Sequence, residues 1–114
     1  MKKLILLGLI LLLTACGTKY QVINANKAKE MIDNGALLVD VRTAEEYIDS
    51  HIEGSINIPL AEIETLDYDL STTIILYCAS GIRSAEAAEK LVNKGYTDVY
   101  SLDGGLINWG FEEE

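Results

Sequence analysis

Positive charge is scarce in this chain. Nine lysines and arginines face eighteen aspartates and glutamates, a formal net charge of −9. A surface of that sign repels nucleic acid and anionic headgroups, and nothing in the composition suggests a polyanion partner. Cysteine is nearly absent, with only Cys16 and Cys78. There is one histidine, His51, and one proline, Pro59. The longest apolar run, Leu4 to Leu13, has ten residues and is broken only by Gly8, too few to cross a bilayer as a helix. The chain shows no internal repeat, low-complexity tract or linker, and 114 residues allow one small domain and no second core.

What is present begins with a charged start, Met1-Lys2-Lys3, then that short apolar run, then Thr14-Ala15-Cys16. The order is that of a signal peptide. Small residues directly before a cysteine resemble the lipobox of bacterial lipoproteins. That resemblance implies cleavage after Ala15, acylation of Cys16, and an extracytoplasmic protein lipid-anchored to a bacterial membrane. An uncleaved anchor, or a plain secretory signal with Cys16 unused, are the alternatives. The expected division is residues 1–15 as signal peptide, 16–19 as a short tether and 20–114 as the domain. Loss of Lys2 and Lys3 leaves seven basic residues against eighteen acidic, a mature charge of −11. With Cys16 acylated, Cys78 is the lone thiol and no internal disulfide can form. A lone thiol outside the cytoplasm risks oxidation, so its presence argues that chemistry requires it.

Apolar patterning predicts alternating strands and helices. Tyr20–Ile23 reads as a strand, Asn24 as the cap of a helix to about Asp33, and Gly35 as its stop. The continuous run Ala36–Val41 suits a strand buried on both faces. Thr43 and Glu46 have capping-box spacing and open a short helix. A brief strand over Gly54–Pro59, a helical Leu60–Leu66, a central strand at Thr73–Tyr77, a helix from Ser84 to Lys94 stopped by Gly95, and a last strand at Thr97–Ser101 follow. Asp103-Gly104-Gly105 turns into a terminal helix containing Leu106, Ile107 and Trp109, and the acidic Glu112–Glu114 is expected to be a frayed end. This alternation argues for an α/β fold, a parallel sheet covered on both faces.

The most informative stretch is Cys78-Ala79-Ser80-Gly81-Ile82-Arg83. It lies between the central strand and the next helix, at the carboxyl end of a strand where ligands bind in such sheets. Loop amides and a helix N-terminus form a nest of N–H donors that favours negative charge. A thiol held there ionises more readily, and the thiolate is the nucleophile. Arg83 adds a permanent planar cation suited to anions. A cysteine after a β-branched run can also be an inert buried hydrophobe; Gly81 and Arg83 within five residues favour the chemical role.

Three stretches together resemble a single-domain rhodanese, a thiosulfate sulfurtransferase fold, over residues 20–110. They are Asp40-Val41-Arg42 with Glu46-Tyr47 and His51-Ile52-Glu53-Gly54-Ser55-Ile56-Asn57-Ile58-Pro59; Cys78 to Ser84; and Gly104-Gly105 with Trp109. The resemblance implies a rhodanese-like five-stranded parallel sheet with helices on both faces and no metal or organic cofactor. It implies Cys78 as the catalytic nucleophile, with Ala79, Ser80, Gly81, Ile82 and Arg83 binding substrate. Asp40 and Arg42 would be a buried carboxylate and its bracing cation, and His51 a brace rather than a general base. Four residues lie between Cys78 and Arg83, one fewer than in cysteine phosphatases, which favours a sulfur atom over a tetrahedral anion. The expected partners are a small anionic sulfur donor and a thiol or cyanide acceptor, for a protein expected to be a monomer. A persulfide carrier or docking module would use the same residues; a catalytically silent domain is disfavoured because Cys78, Gly81 and Arg83 are all present.

Overall fold

The alternating pattern closes into one parallel sheet. A computed structural model describes residues 19–114; the expected signal peptide and Cys16 lie outside the described residues. The strands are β1 (Gln21–Ile23), β2 (Leu37–Asp40), β3 (Ile56–Asn57), β4 (Ile74–Tyr77) and β5 (Val99–Leu102), ordered β1-β5-β4-β2-β3 with every pairing parallel. Helices α1 (Ala25–Asp33), α2 (Ala44–Asp49) and α3 (Ile82–Lys94) connect them, with 3₁₀ segments at Leu60–Thr65 and Gly105–Asn108.

The central strands sort their side chains by the two-residue period of a pleated strand. From β4, Ile74 and Leu76, followed by Cys78, enter one core with Val39, Val41, Ile63, Ala87, Ala88 and Leu91. Ile75 and Tyr77 enter the other with Leu38, Ala28, Ile52, Leu102 and Trp109. All four β4 residues are fully buried, as a strand covered on both faces requires. The cysteine is thus the last inward residue of the most buried strand, where the chain leaves the sheet.

Helix ends follow their local chemistry. The Asn24 side chain accepts from Lys27 N at 2.8 Å. Thr43 and Glu46 form a complete capping box on α2. Gly95 ends α3 at φ +116°, a left-handed conformation that glycine adopts without strain.

Four sequence expectations are corrected. Helix α3 begins at Ile82 rather than Ser84, so Arg83 and Ser84 lie inside its first turn. β5 runs one residue further than Ser101 and begins at Val99. The terminal helix is a single 3₁₀ turn, and Trp109 caps it from outside. The acidic tail is tied down: Glu113 makes an antiparallel bridge with Ile52, His51 N donates to Glu114 O at 2.8 Å, and Glu114 N donates to His51 O at 2.6 Å. A strip of three glutamates carries no local signal for that pairing, because its partner lies some sixty residues away.

Candidate functional site

The site is built at the point where β4 hands over to α3. Cys78 is buried, and the loop from Ala79 turns back over its sulfur to reach the first turn of the helix. Gly81 stands at the helix N-cap with φ +111°, a conformation an L side chain rarely adopts. That turn aims two amides at the sulfur: Gly81 N lies 3.1 Å and Ser84 N 3.4 Å from Cys78 Sγ. The Ser84 hydroxyl is 3.7 Å from it.

A second segment fixes the loop from behind. Leu106 N donates to Cys78 O at 2.9 Å and Ile107 N to Ala79 O at 3.2 Å. These bonds hold the loop carbonyls away from the sulfur and leave its amides facing it. The approach is so close that a Cβ on Gly105 would sit 2.4 Å from Cys78 O and 2.7 Å from Ala79 O. Gly105 of the closing segment therefore serves the cysteine loop directly.

Electrostatics at the sulfur are a contest that the hydrogen bonds win. Burial alone would push the Cys78 thiol up; donation from Ser84 N, Gly81 N, the Ser84 hydroxyl and Ser80 N outweighs it, and the thiol lies below its ordinary value. These groups favour the anion because they donate to the charged form.

Arg83 is held rather than free. Its Nη1 donates to Glu46 Oε1 at 2.8 Å and its Nη2 to Glu46 Oε2 at 3.1 Å. Glu46 Oε1 also accepts from Thr43 N at 3.0 Å and from the Thr43 hydroxyl at 3.1 Å. The carboxylate that caps α2 therefore also braces the arginine of the cysteine loop. Arg83, and after it the Thr43 amide, draw the Glu46 carboxyl down to about 2. Arg83 is raised by its bond to Glu46, with the charge of Cys78 adding to it. Among the described residues two of the five guanidinium N–H donors are used, which leaves three for a ligand.

The other expected residues form a brace behind these loops. Asp40 and Arg42 are both buried. Arg42 Nε donates to Asp40 Oδ1 and Oδ2 at 3.0 Å each, and Nη2 donates to Asp40 Oδ2 at 2.7 Å and to Ser50 O at 2.6 Å. Burial works against the Arg42 charge, and Asp40 more than restores it. His51 Nδ1 lies 2.8 Å from Tyr47 O and Nε2 3.2 Å from Glu114 Oε1, while its ring stacks on Tyr47 at 3.7 Å. Among the described residues every polar contact of that ring is thus with α2 or the tail. The Tyr77 hydroxyl accepts from Ile52 N at 3.0 Å and meets Ser55 Oγ at 3.1 Å, and burial pushes that hydroxyl far up from its ordinary value. Trp109 is buried in the second core.

Three polar residues have roles that their sequence context does not show. Ser84 is legible as the end of the Cys78–Ser84 stretch and the start of a helix but not as a partner of the sulfur, yet two residues inside the helix start its amide and hydroxyl both reach back to Sγ. Glu46 was legible as a cap; its second role depends on a partner 37 residues away. Ser101 looked like a strand filler, but it is buried with its hydroxyl 2.8 Å from Ser84 Oγ. Among the described residues no group of three His, Cys, Asp or Glu could hold a metal ion.

Comparison with known proteins places this geometry. The model of the rhodanese-like domain matches residues 24–112. A thiosulfate sulfurtransferase, GlpE of Pseudomonas savastanoi pv. phaseolicola, is 35% identical over 94 residues, covering 81% of this chain and 89% of that protein. The uncharacterized protein YqhL of Bacillus subtilis is 39% identical over 77 residues, which span 66% of this chain and 61% of YqhL. Among solved structures, a rhodanese-related protein of Thermoplasma volcanium superposes with a TM-score of 0.73 at 33% identity, over 83% of this chain and 98% of that one. A rhodanese-like domain protein of Staphylococcus aureus gives 0.72 at 30% identity, over 81% and 93%. With the five-stranded parallel sheet and the cysteine loop at its carboxyl edge, these matches make the chain a member of the rhodanese-like domain family.

Proposed function

We propose that the protein is a sulfurtransferase that moves a sulfane sulfur from thiosulfate or a related donor to a thiophilic acceptor through a persulfide on Cys78. The observation that carries this reading is the Cys78 sulfur itself, which accepts amides from Gly81 and Ser84 at 3.1 and 3.4 Å inside a loop four residues long between Cys78 and Arg83. A ring that tight suits one sulfur atom and leaves little room for a tetrahedral oxyanion.

The chemistry runs in two displacements. Cys78 thiolate attacks the outer sulfur of thiosulfate; the donor's S–S bond breaks and its electron pair leaves with sulfite. The negative charge then rests on the outer sulfur of the Cys78 persulfide, facing the loop amides and the remaining N–H donors of Arg83. An acceptor thiolate or cyanide attacks that outer sulfur, the new S–S bond breaks, and its electron pair returns to Sγ. Two half-reactions sharing one covalent intermediate predict ping-pong kinetics.

Replacement of Cys78 by serine tests the centre of this reading. Sulfur transfer should vanish while the fold persists, and mass spectrometry of the native protein after thiosulfate treatment should find one added sulfur on the peptide carrying Cys78. Transfer that survives in the serine variant would remove the claim.

The N-terminal segment supports a further part of the proposal, that the domain is tethered by lipid on Cys16 to the outer face of a bacterial membrane. One acyl chain binds reversibly, and the several chains of a lipoprotein hold firmly. Cys16→Ala should abolish metabolic labelling by fatty acid and release the protein from the lipidated pool. Native protein recovered without lipid and cut elsewhere would count against the tether.

A further inference from the structure

Behind the cysteine lies a pair of buried hydroxyls that the two displacements do not yet use. Ser84 and Ser101 are both closed to solvent. Their oxygens are 2.8 Å apart, and Ser84 Oγ stands 3.7 Å from Cys78 Sγ and 3.2 Å from Gly81 O. They come from different elements, the first turn of α3 and the middle of β5.

Counting protons gives the pair a direction. Among the described residues the one partner of the Ser101 hydroxyl is Ser84 Oγ. A buried hydroxyl left without an acceptor is costly, so Ser101 donates to Ser84. The proton of Ser84 is then left with two acceptors, the carbonyl of Gly81 and the sulfur of Cys78. When Cys78 is a neutral thiol, its S–H points at Ser84 Oγ and Ser84 donates to Gly81. When the sulfur is anionic, Ser84 turns its O–H to the sulfur. In the persulfide, Sγ is bonded on both sides and the charge has moved outward, so Gly81 again becomes the better acceptor.

The geometry points to Ser84 as a catalytic residue that donates to the Cys78 thiolate as sulfur is discharged to the acceptor, with Ser101 as the positioning residue that orients it. The inference rests on the sulfurtransferase reading and adds a leaving-group role to it. In the second displacement the bond between Sγ and the outer sulfur breaks and its electron pair returns to Sγ; a donor already aimed at Sγ lowers the energy of that developing charge. A thiol of lower pKa also leaves faster. In the first displacement the same hydrogen bond quiets the nucleophile, so its effect on the two halves is unequal. The charged groups around the sulfur are Arg83 of α3, Glu46 of α2 bonded to it, and Arg42 after β2, near enough to Arg83 for their charges to oppose; β5 presents Ser101. None of these has the Ser84–Ser101 pair as its partner.

The test uses Ser84→Ala, Ser101→Ala and the double variant, with two readouts. Titration of the resting thiol by its ultraviolet thiolate absorbance should move up by about one pH unit in Ser84→Ala and by less in Ser101→Ala. Discharge of a preformed Cys78 persulfide to cyanide should slow roughly tenfold in Ser84→Ala and about threefold in Ser101→Ala, whereas sulfite release above the thiol midpoint should quicken, by up to about threefold in Ser84→Ala, because the freed thiolate is the stronger nucleophile. The double variant should be no slower than Ser84→Ala alone, because Ser101 acts through Ser84. A thiol midpoint unmoved in both single variants, or equal slowing of both half-reactions, would overturn the inference. Should the native protein form no persulfide from thiosulfate, the proposed function fails instead, and the titration still reports on the hydroxyl pair.

Discussion

At Glu46 one carboxylate serves two structures. It closes the cap of α2 through Thr43 and fixes the fork of Arg83 through both oxygens. Because its carboxyl is drawn from 4.5 to about 2, the sign of its contribution follows by linkage. A depressed carboxyl stabilises the fold above its ordinary value and loses that contribution as pH falls through the folded one. The pair is half-exposed, so solvent screening keeps its worth modest. Urea denaturation at about pH 6 and about pH 3 should therefore show a smaller acid loss in Glu46→Gln than in the native protein. Equal losses in the two would mean that folding does not hold this carboxyl down. Cys78 and Arg83 were legible as residues because their chemistry is local: a strand end, a glycine and a helix start within six positions. Glu46 and Ser101 were not, since what gives each its role is a partner brought close only by folding.

At the scale of elements, hydrophobic period and capping chemistry carried most of the fold. The run Leu37–Asp40 and the run Ile74–Tyr77 lie side by side in register, as continuous apolar strands in a parallel sheet must. The tail shows where that reasoning stops. Polarity made Glu112–Glu114 look like a solvated end, but a backbone pairs through its amides whatever its side chains, and the tail became a strap across His51–Glu53. The strap also receives Trp109 Nε1 at Glu112 O, 3.3 Å away. Through His51 it touches α2, the helix that carries Glu46. Deleting residues 112–114 should cost at least about 1 kcal/mol, because it removes the four hydrogen bonds that tie the backbone of the strap to His51, Glu53 and Trp109. For a domain of this size that corresponds to a fall in Tm of at least about 4 °C, read by calorimetry. Persulfide formation on Cys78 should survive, because no cysteine-loop bond involves the tail. An unchanged Tm would return the tail to the role of a frayed end.

For the whole molecule the difficulty is charge: the proposed activity requires the site to receive an anion on a protein whose expected mature form carries −11. The summed field opposes a doubly negative donor, so long-range steering cannot bring it in. Arg83 does not reverse that field, because Glu46 neutralises it at any distance much beyond their 2.8 Å contact. Capture must therefore be local, through the loop amides, the N-terminus of α3 and the unused N–H donors of Arg83, all within roughly a Debye length of 8–10 Å. Added inert salt screens the distant acids more than these close contacts. In a soluble form beginning at residue 19, kcat/KM for thiosulfate should hold steady or rise as salt increases. Arg83→Lys keeps the charge but cannot both grip Glu46 with two nitrogens and present a planar edge to the donor. It should cost at least about 1 kcal/mol of transition-state binding, or roughly fivefold in kcat/KM. A steep fall with salt, or a silent lysine variant, would show that attraction at a distance, rather than the fitted nest around Cys78, delivers the substrate.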